Sequence, residues 1–198
     1  MPTVVTISGS PSVRSRSDGL LRRAVHLLES FGVTIKAFSL ADFPAESLLY
    51  AHFDHPSIVR LQQAVAEADG LIVSTPVYKS AYSGALKVIL DLLPERSLAQ
   101  HAVLPLATGG SPAHMLAVDY ALQPVLTALK ARHILGGIYA TDKELVWGDN
   151  GELVVADDIA ARLNTAVARF IAHLPNPGVV QLDPHALNAQ IRIGGISV

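Results

Sequence analysis

Short apolar runs of strand length alternate with amphipathic runs of helical spacing along most of this chain. Few architectures accommodate that pattern. Thr3 to Ser8, Val33 to Phe38, Gly70 to Ser74, Ala102 to Ala107 and His133 to Tyr139 read as five strands. Leu20, Ala24, Leu27, Leu28 and Phe31 fall on one helical face, as do Ile58, Leu61, Val65 and Ala68. Leu86, Ile89, Leu90 and Leu93 form a third stripe from a start near Ser83, which Pro94 ends. A long helix is predicted from about Ser111 to Leu129, and Ile159, Leu163, Val167, Phe170 and Leu174 mark a last one. Asp42 to Pro56 reads as an irregular connection. Gly148-Asp149-Asn150-Gly151 between two short apolar runs signals a hairpin. The unbroken run Leu71-Ile72-Val73 suits a strand covered on both faces. Five β-α units in series therefore predict an α/β fold: a doubly wound, five-stranded parallel sheet with helices on both faces.

The first βα loop carries the strongest chemical signal. Gly9-Ser10-Pro11-Ser12-Val13-Arg14-Ser15-Arg16-Ser17 joins a strand to a helix N-terminus. There, backbone N–H groups and the helix dipole favour an anion. Ser10, Ser15 and Ser17 add hydroxyl donors, and Arg14 and Arg16 offset the ~1.5–2 negative charges of a phosphate monoester. Gly9 stands alone, so neither the dinucleotide fingerprint nor a P-loop ending is present. Hydroxyls suit a terminal monophosphate better than a pyrophosphate, which points to a mononucleotide such as FMN. Taken alone, the same stretch also reads as turn material capping a helix. With right-handed crossovers and a ligand at the first turn, the flavodoxin-like strand order 2-1-3-4-5 fits. Its ligand loops would follow Ser8, Ser74 and Ala107.

The other two loops carry unusual residues. Pro76, Val77 and Tyr78 offer a stiff apolar ledge for a flat ring, and Lys79 a cation for the anionic parts of a dinucleotide donor. The competing reading makes Tyr78 and Tyr82 half-buried aromatics and Lys79 a solvated charge. After the fourth strand, Thr108, Gly109, Gly110 and Ser111 bring backbone N–H groups close to a ligand. They would donate to ring carbonyls and stabilise charge on reduction. His114 reads either as a ring or nicotinamide contact or as a polar surface residue.

Composition narrows the function classes. The 198 residues suit one domain, placed at 1–175, with a Pro-, Gly- and Asn-rich tail at 176–198. Without cysteine there is no thiol chemistry, so a redox role needs a bound organic cofactor or a non-thiolate metal. A net charge of −2 argues against nucleic acid. No apolar run approaches the roughly 18 residues that span a bilayer, and the first strand begins at Thr3. A cytoplasmic protein that acts away from membranes is expected. His52, Asp54 and His55 have no settled metal-ligand spacing, and no metal site is predicted.

Read together, the three loops resemble the NADPH-dependent FMN reductase family of flavodoxin-like proteins, especially the FMN reductases of bacterial sulfonate utilisation. The likeness is carried by Gly9-Ser10-Pro11 with Ser15-Arg16-Ser17, and by Ala68-Asp69-Gly70-Leu71-Ile72-Val73 running into Thr75-Pro76-Val77-Tyr78-Lys79. It continues through Tyr82-Ser83-Gly84-Ala85-Leu86-Lys87, Leu90 to Arg96, Leu104 to Gly110, and His114 to Leu122, and fades after Tyr139. Where the family often has Arg three residues after the loop glycine, this chain has Ser12, and Arg14 takes the contact over. The resemblance implies hydride transfer from NADPH or NADH to FMN, with reduced FMN passed to a monooxygenase that desulfonates organosulfonates. It assigns phosphate holding to Ser10, Arg14, Ser15, Arg16 and Ser17. Ring contacts fall to Pro76, Val77, Tyr78, Lys79, Thr108, Gly109, Gly110 and Ser111. No general base is named. Two other readings stay open: a quinone or azo reductase with fixed FMN, and a flavodoxin-like electron carrier.

Pro124 interrupts the long helix, removing an N–H and crowding the Tyr120 carbonyl. A one-residue π-bulge is one relief. The resemblance places Tyr120 at a subunit interface of a homodimer or homotetramer, where it keeps flavin exchangeable. A plain proline kink is the alternative.

Overall fold

In parallel strands, backbone groups bond alternately to the two neighbours, so a proline can open one side while the other stays paired. That rule explains where this sheet departs from the sequence expectation. The computed structural model describes residues 1–175 except Val13 and Asn150; the tail at 176–198 lies outside the described residues. In chain order the regular elements begin with β1 (Thr3–Ser8), α1 (Arg16–Ser30), β2 (Thr34–Ser39), α2 (Ala45–Leu49) and α3 (Pro56–Ala66). They continue with β3 (Gly70–Tyr78), β4 (Ala81–Tyr82), α4 (Gly84–Leu90), β5 (Ala102–Gly109) and α5 (Gln123–Ala128). Last come β6 (His133–Ile134), β7 (Ile138–Thr141), β8 (Leu145–Trp147), β9 (Leu153–Val155) and α6 (Asp157–His173).

The parallel order β2-β1-β3-β5-β6 is the flavodoxin-like arrangement, with β7 also on β5 and β4 antiparallel on β3. Among the described residues the sheet thus has seven strands, not five. The expected fifth strand is broken in two. Val103 lies opposite Ile134 and Leu106 opposite Ile138, so the edge carries one extra residue. Val103 accepts from the Leu135 N–H, and by alternation Pro105 would present its missing N–H to the same edge. The bulge falls where that donor is lacking. A Cβ on Gly137 would come within 2.6 Å of Val118 and 3.1 Å of the Pro105 carbonyl, which is why the detour passes through glycine.

The two faces bury alternate strand residues. Val4, Ile72 and Leu104 pack with Leu20, Leu28, Leu163 and Phe170 of α1 and α6. Val5, Ile7, Leu71 and Val73 pack with residues of α3, α4 and α5 on the other side. Phe31, expected on the apolar face of the first helix, lies just past its end and is exposed.

Two other expectations change. The connection at Asp42 to Pro56 contains α2, one turn too short to show periodicity. The long helix predicted over Ser111 to Leu129 is three pieces: a 3₁₀ turn at Pro112–His114, a π turn at Val118–Leu122, and α5. The Gln123 N–H reaches back five residues to the Val118 carbonyl immediately before Pro124. The widened turn accommodates the missing proline donor, as the sequence suggested. His55 caps α3, its Nδ1 accepting from the Ser57 N–H.

Candidate functional site

The C-terminal ends of β1, β3, β5 and β7 meet at one edge of the sheet and enclose a cleft of about 310 Å³. The first loop supplies Ser10, Arg14, Ser15 and Arg16 to its wall, together with Ser12. Pro76, Val77 and Tyr78 come from the end of β3, and Thr108, Gly109 and Gly110 from the end of β5. Asp142, directly after β7, completes the lining.

Backbone approach fixes the first loop. The Gly9 N–H donates to the Ser74 carbonyl at 2.7 Å, and the Gly9 carbonyl accepts from the Ser83 hydroxyl at 2.5 Å. Ser83 also caps α4, accepting from the Leu86 N–H, so the first and third βα loops are tied through one buried side chain. A Cβ on Gly9 would stand 2.4 Å from the Leu86 Cβ. Ser15 is the N-cap of α1, accepting from the Asp18 N–H. Ser10 Oγ accepts from the Ser12 N–H, tightening the turn ahead of it.

The arginines are held by the hairpin of β8 and β9. The Arg14 guanidinium lies 4.9 Å from the Trp147 ring centroid. Arg16 Nε donates to the Leu145 carbonyl at 2.8 Å, and its Nη1 lies 3.7 Å from Asp142 Oδ1. The hairpin itself reaches under α1, where Leu153 packs against Gly19. Neither Leu145 nor Trp147 was singled out in the sequence, and nothing local to the hairpin marks them.

The ring-side loops are braced as well. Lys79 and Ser80 both have positive φ and form the two-residue turn between β3 and β4, as a type I′ hairpin requires. Tyr139 donates its hydroxyl to the Ser111 carbonyl at 2.6 Å, buttressing the glycine loop. Burial pushes the Tyr139 phenol up, reinforced by the Asp142 carboxylate. Glu144 accepts from the Thr141 N–H and hydroxyl, and those bonds hold its carboxyl below the usual range.

Several sequence candidates lie outside the lining. Ser17 is fully buried behind Ser15, sharing its hydroxyl at 2.8 Å while its carbonyl accepts from Ser74. Lys79 stands exposed at its turn, and Ser111 caps the 3₁₀ turn by accepting from the Ala113 N–H. His114 Nδ1 lies 3.4 Å from the Ser80 hydroxyl at the rim, and Tyr120 is exposed on the π turn. Asp142 escaped the sequence reading although it follows the fifth strand, where a parallel sheet places its ligand loops.

The donor set has two ends. Two guanidinium groups, serine hydroxyls and a helix N-terminus favour a compact dianion. The Pro76–Tyr78 ledge and the glycine amides suit a flat, polar-rimmed ring. That chemistry fits FMN. Among the described residues, no helix is long and apolar enough to cross a membrane.

Comparison with known proteins identifies the family. The model of the family "NADPH-dependent FMN reductase" matches residues 2–145. An "FMN reductase (NADPH)" of Pseudomonas putida is 52% identical over 194 residues, covering 95% of each chain. Its namesake from Escherichia coli K12 is 50% identical, covering 84% of this chain and 87% of that one. The apo crystal structure of an NADH:FMN oxidoreductase (EMOB) superposes with a TM-score of 0.80 at 37% identity, covering 90% of this chain and 92% of the other. With a family match over residues 2–145 and half-identical relatives along nearly its whole length, this chain belongs to the NADPH-dependent FMN reductase family.

Proposed function

We propose that this NAD(P)H:FMN oxidoreductase holds FMN in the cleft by its phosphate and releases the reduced flavin to a partner. The partner is a flavin-dependent monooxygenase that desulfonates organosulfonates in the cytoplasm. The observation that carries the reading is the convergence of three βα loops on one cleft, cationic at one end and flat and apolar at the other. FMN, when bound, supplies the ring that takes up a hydride from NADPH or NADH. Ser10, Ser15, Arg14 and Arg16 hold its phosphate, with Ser17 supporting Ser15 from beneath. Pro76, Val77 and Tyr78 bear the ring, while Thr108, Gly109 and Gly110 offer donors to its polar rim and Ser111 anchors that loop. Lys79 at the open rim meets the dinucleotide donor. Hydride transfer between stacked rings needs position and electrostatics rather than a strong acid or base.

Oxidation of NADPH by dialysed, colourless protein is expected to depend on added FMN and to saturate with it. Protein that stays yellow and reduces a quinone equally fast without added FMN would instead be a reductase with fixed flavin. Oxidation of NADPH that no flavin stimulates sinks the reading.

Tyr120 and His114 belong to the same reading through assembly. The π turn leaves Tyr120 78% exposed, beside half-exposed Met115 and Leu116, as a face for a second subunit of a homodimer or homotetramer. Tyr120→Ala is expected to retain flavin through dialysis and to turn over more slowly with added FMN. A variant matching the unaltered protein in both assays removes Tyr120 from flavin exchange.

A further inference from the structure

One residue of the cleft has the wrong charge for it. Asp142 presents a carboxylate to a pocket whose other charged groups, Arg14 and Arg16, are cations. Its position is built rather than incidental. Its backbone N–H donates to the Gly109 carbonyl at 3.0 Å, and the turn that carries it is closed by the Glu144 N–H on the Thr141 carbonyl. The Glu144 side chain clamps the same turn from below through Thr141. With Arg16 Nε fixed by the Leu145 carbonyl, the terminal nitrogens are what the guanidinium has left to offer an anion. One of them already faces Asp142 Oδ1 at 3.7 Å.

We propose that Asp142 sets the strength of phosphate binding: its carboxylate competes with the flavin phosphate for Arg16 and lowers affinity for phosphate-bearing flavins selectively. This rests on the reading that the phosphate docks beside Arg16. The carboxylate opposes a dianion directly and also draws on the cation meant to neutralise it, so both effects weaken binding. Arg16 and Asp142 are partly exposed, and exposed ion pairs are modest, so removing the carboxylate shifts affinity about two- to fivefold, not by orders of magnitude. A reductase whose flavin leaves after each turnover is served by that weakening. A protein that keeps its flavin is not.

Equilibrium titration of the dialysed protein with FMN and with riboflavin, at low and at physiological salt, separates the possibilities. In Asp142→Asn, FMN is expected to bind about two- to fivefold more tightly while riboflavin changes less than about twofold. The gain should shrink as salt is raised. Asp142→Ser, which also removes the charge, should do the same, guarding against an effect of the asparagine amide. Weaker FMN binding in both variants would mean that Asp142 orients Arg16, and equal tightening of both flavins would place its effect on the ring. Either result overturns the proposal while leaving the phosphate site intact. Equal affinity of the unaltered protein for FMN and riboflavin removes the phosphate site itself, and this inference with it.

Discussion

Gly9→Ala is expected to unfold roughly 3–10 °C lower than the unaltered protein and to bind FMN at least about tenfold more weakly. The added methyl would stand 2.4 Å from the Leu86 Cβ and 3.0 Å from the Leu86 Cα. Truncating Leu86 to alanine cannot relieve that clash, because the Cβ is the atom in the way. The backbone of the loop or of α4 has to move, and overpacking of this kind costs about 1–3 kcal/mol. Movement is costly here for a second reason. The Gly9 carbonyl holds the Ser83 hydroxyl that caps α4, and the Gly9 N–H is paired with Ser74 midway along β3. Displacing Gly9 therefore loosens the first loop and the ring ledge together. Thermal unfolding and FMN titration check both halves. A variant with native stability and native affinity would mean that the contact relaxes freely and that the loop does not position the ligand.

That tie between loops marks a boundary of what a sequence discloses. The sheet was legible because the signal is local: Thr3–Ser8 is a short apolar run of strand length, and the stripe from Leu20 to Leu28 is a helical face. The first βα loop was legible as a helix entry because Ser15 and Arg16 announce a helix N-terminus within a few residues. The broken edge strand was not, although its cause, Pro105, lies in plain view. It takes the register of β5 against β6 and β7 to see that the missing donor faces the edge. Pro124 gave its consequence away because a helix pairs with itself at a fixed offset. The hairpin residues that hold the arginines are 129 positions from Arg16 in the case of Leu145, and only the packing of α1 against β9 brings them together. Asp142 was hidden differently. An aspartate after a strand looks like turn material until the cleft it faces is known to be cationic.

Arg16→Lys is expected to weaken FMN binding about tenfold, and Arg16→Ala about 100-fold, with riboflavin affinity nearly unchanged in both. The lysine result is the more informative of the two. Lysine preserves the charge, so a purely electrostatic pocket would barely notice it. Arg16 does more than carry charge, because its Nε is committed to the Leu145 carbonyl while its terminal nitrogens face the cleft. One planar fork can thus be anchored at its base and present the four N–H donors of its two terminal nitrogens at its tip. An ammonium group is a single point at the end of a flexible stem and cannot be held by the hairpin and face the phosphate at once. Loss of the anchored geometry removes about one charge-assisted hydrogen bond, and loss of the charge removes the remainder. Arg16 is partly exposed, so each such bond counts at the low end of the usual range, about 1.5 kcal/mol, which makes one worth about tenfold and two about a hundredfold. FMN and riboflavin titrations at fixed ionic strength measure both. If lysine matched arginine, the hairpin anchor would have no part in recognition; if alanine bound FMN normally, the phosphate would sit elsewhere.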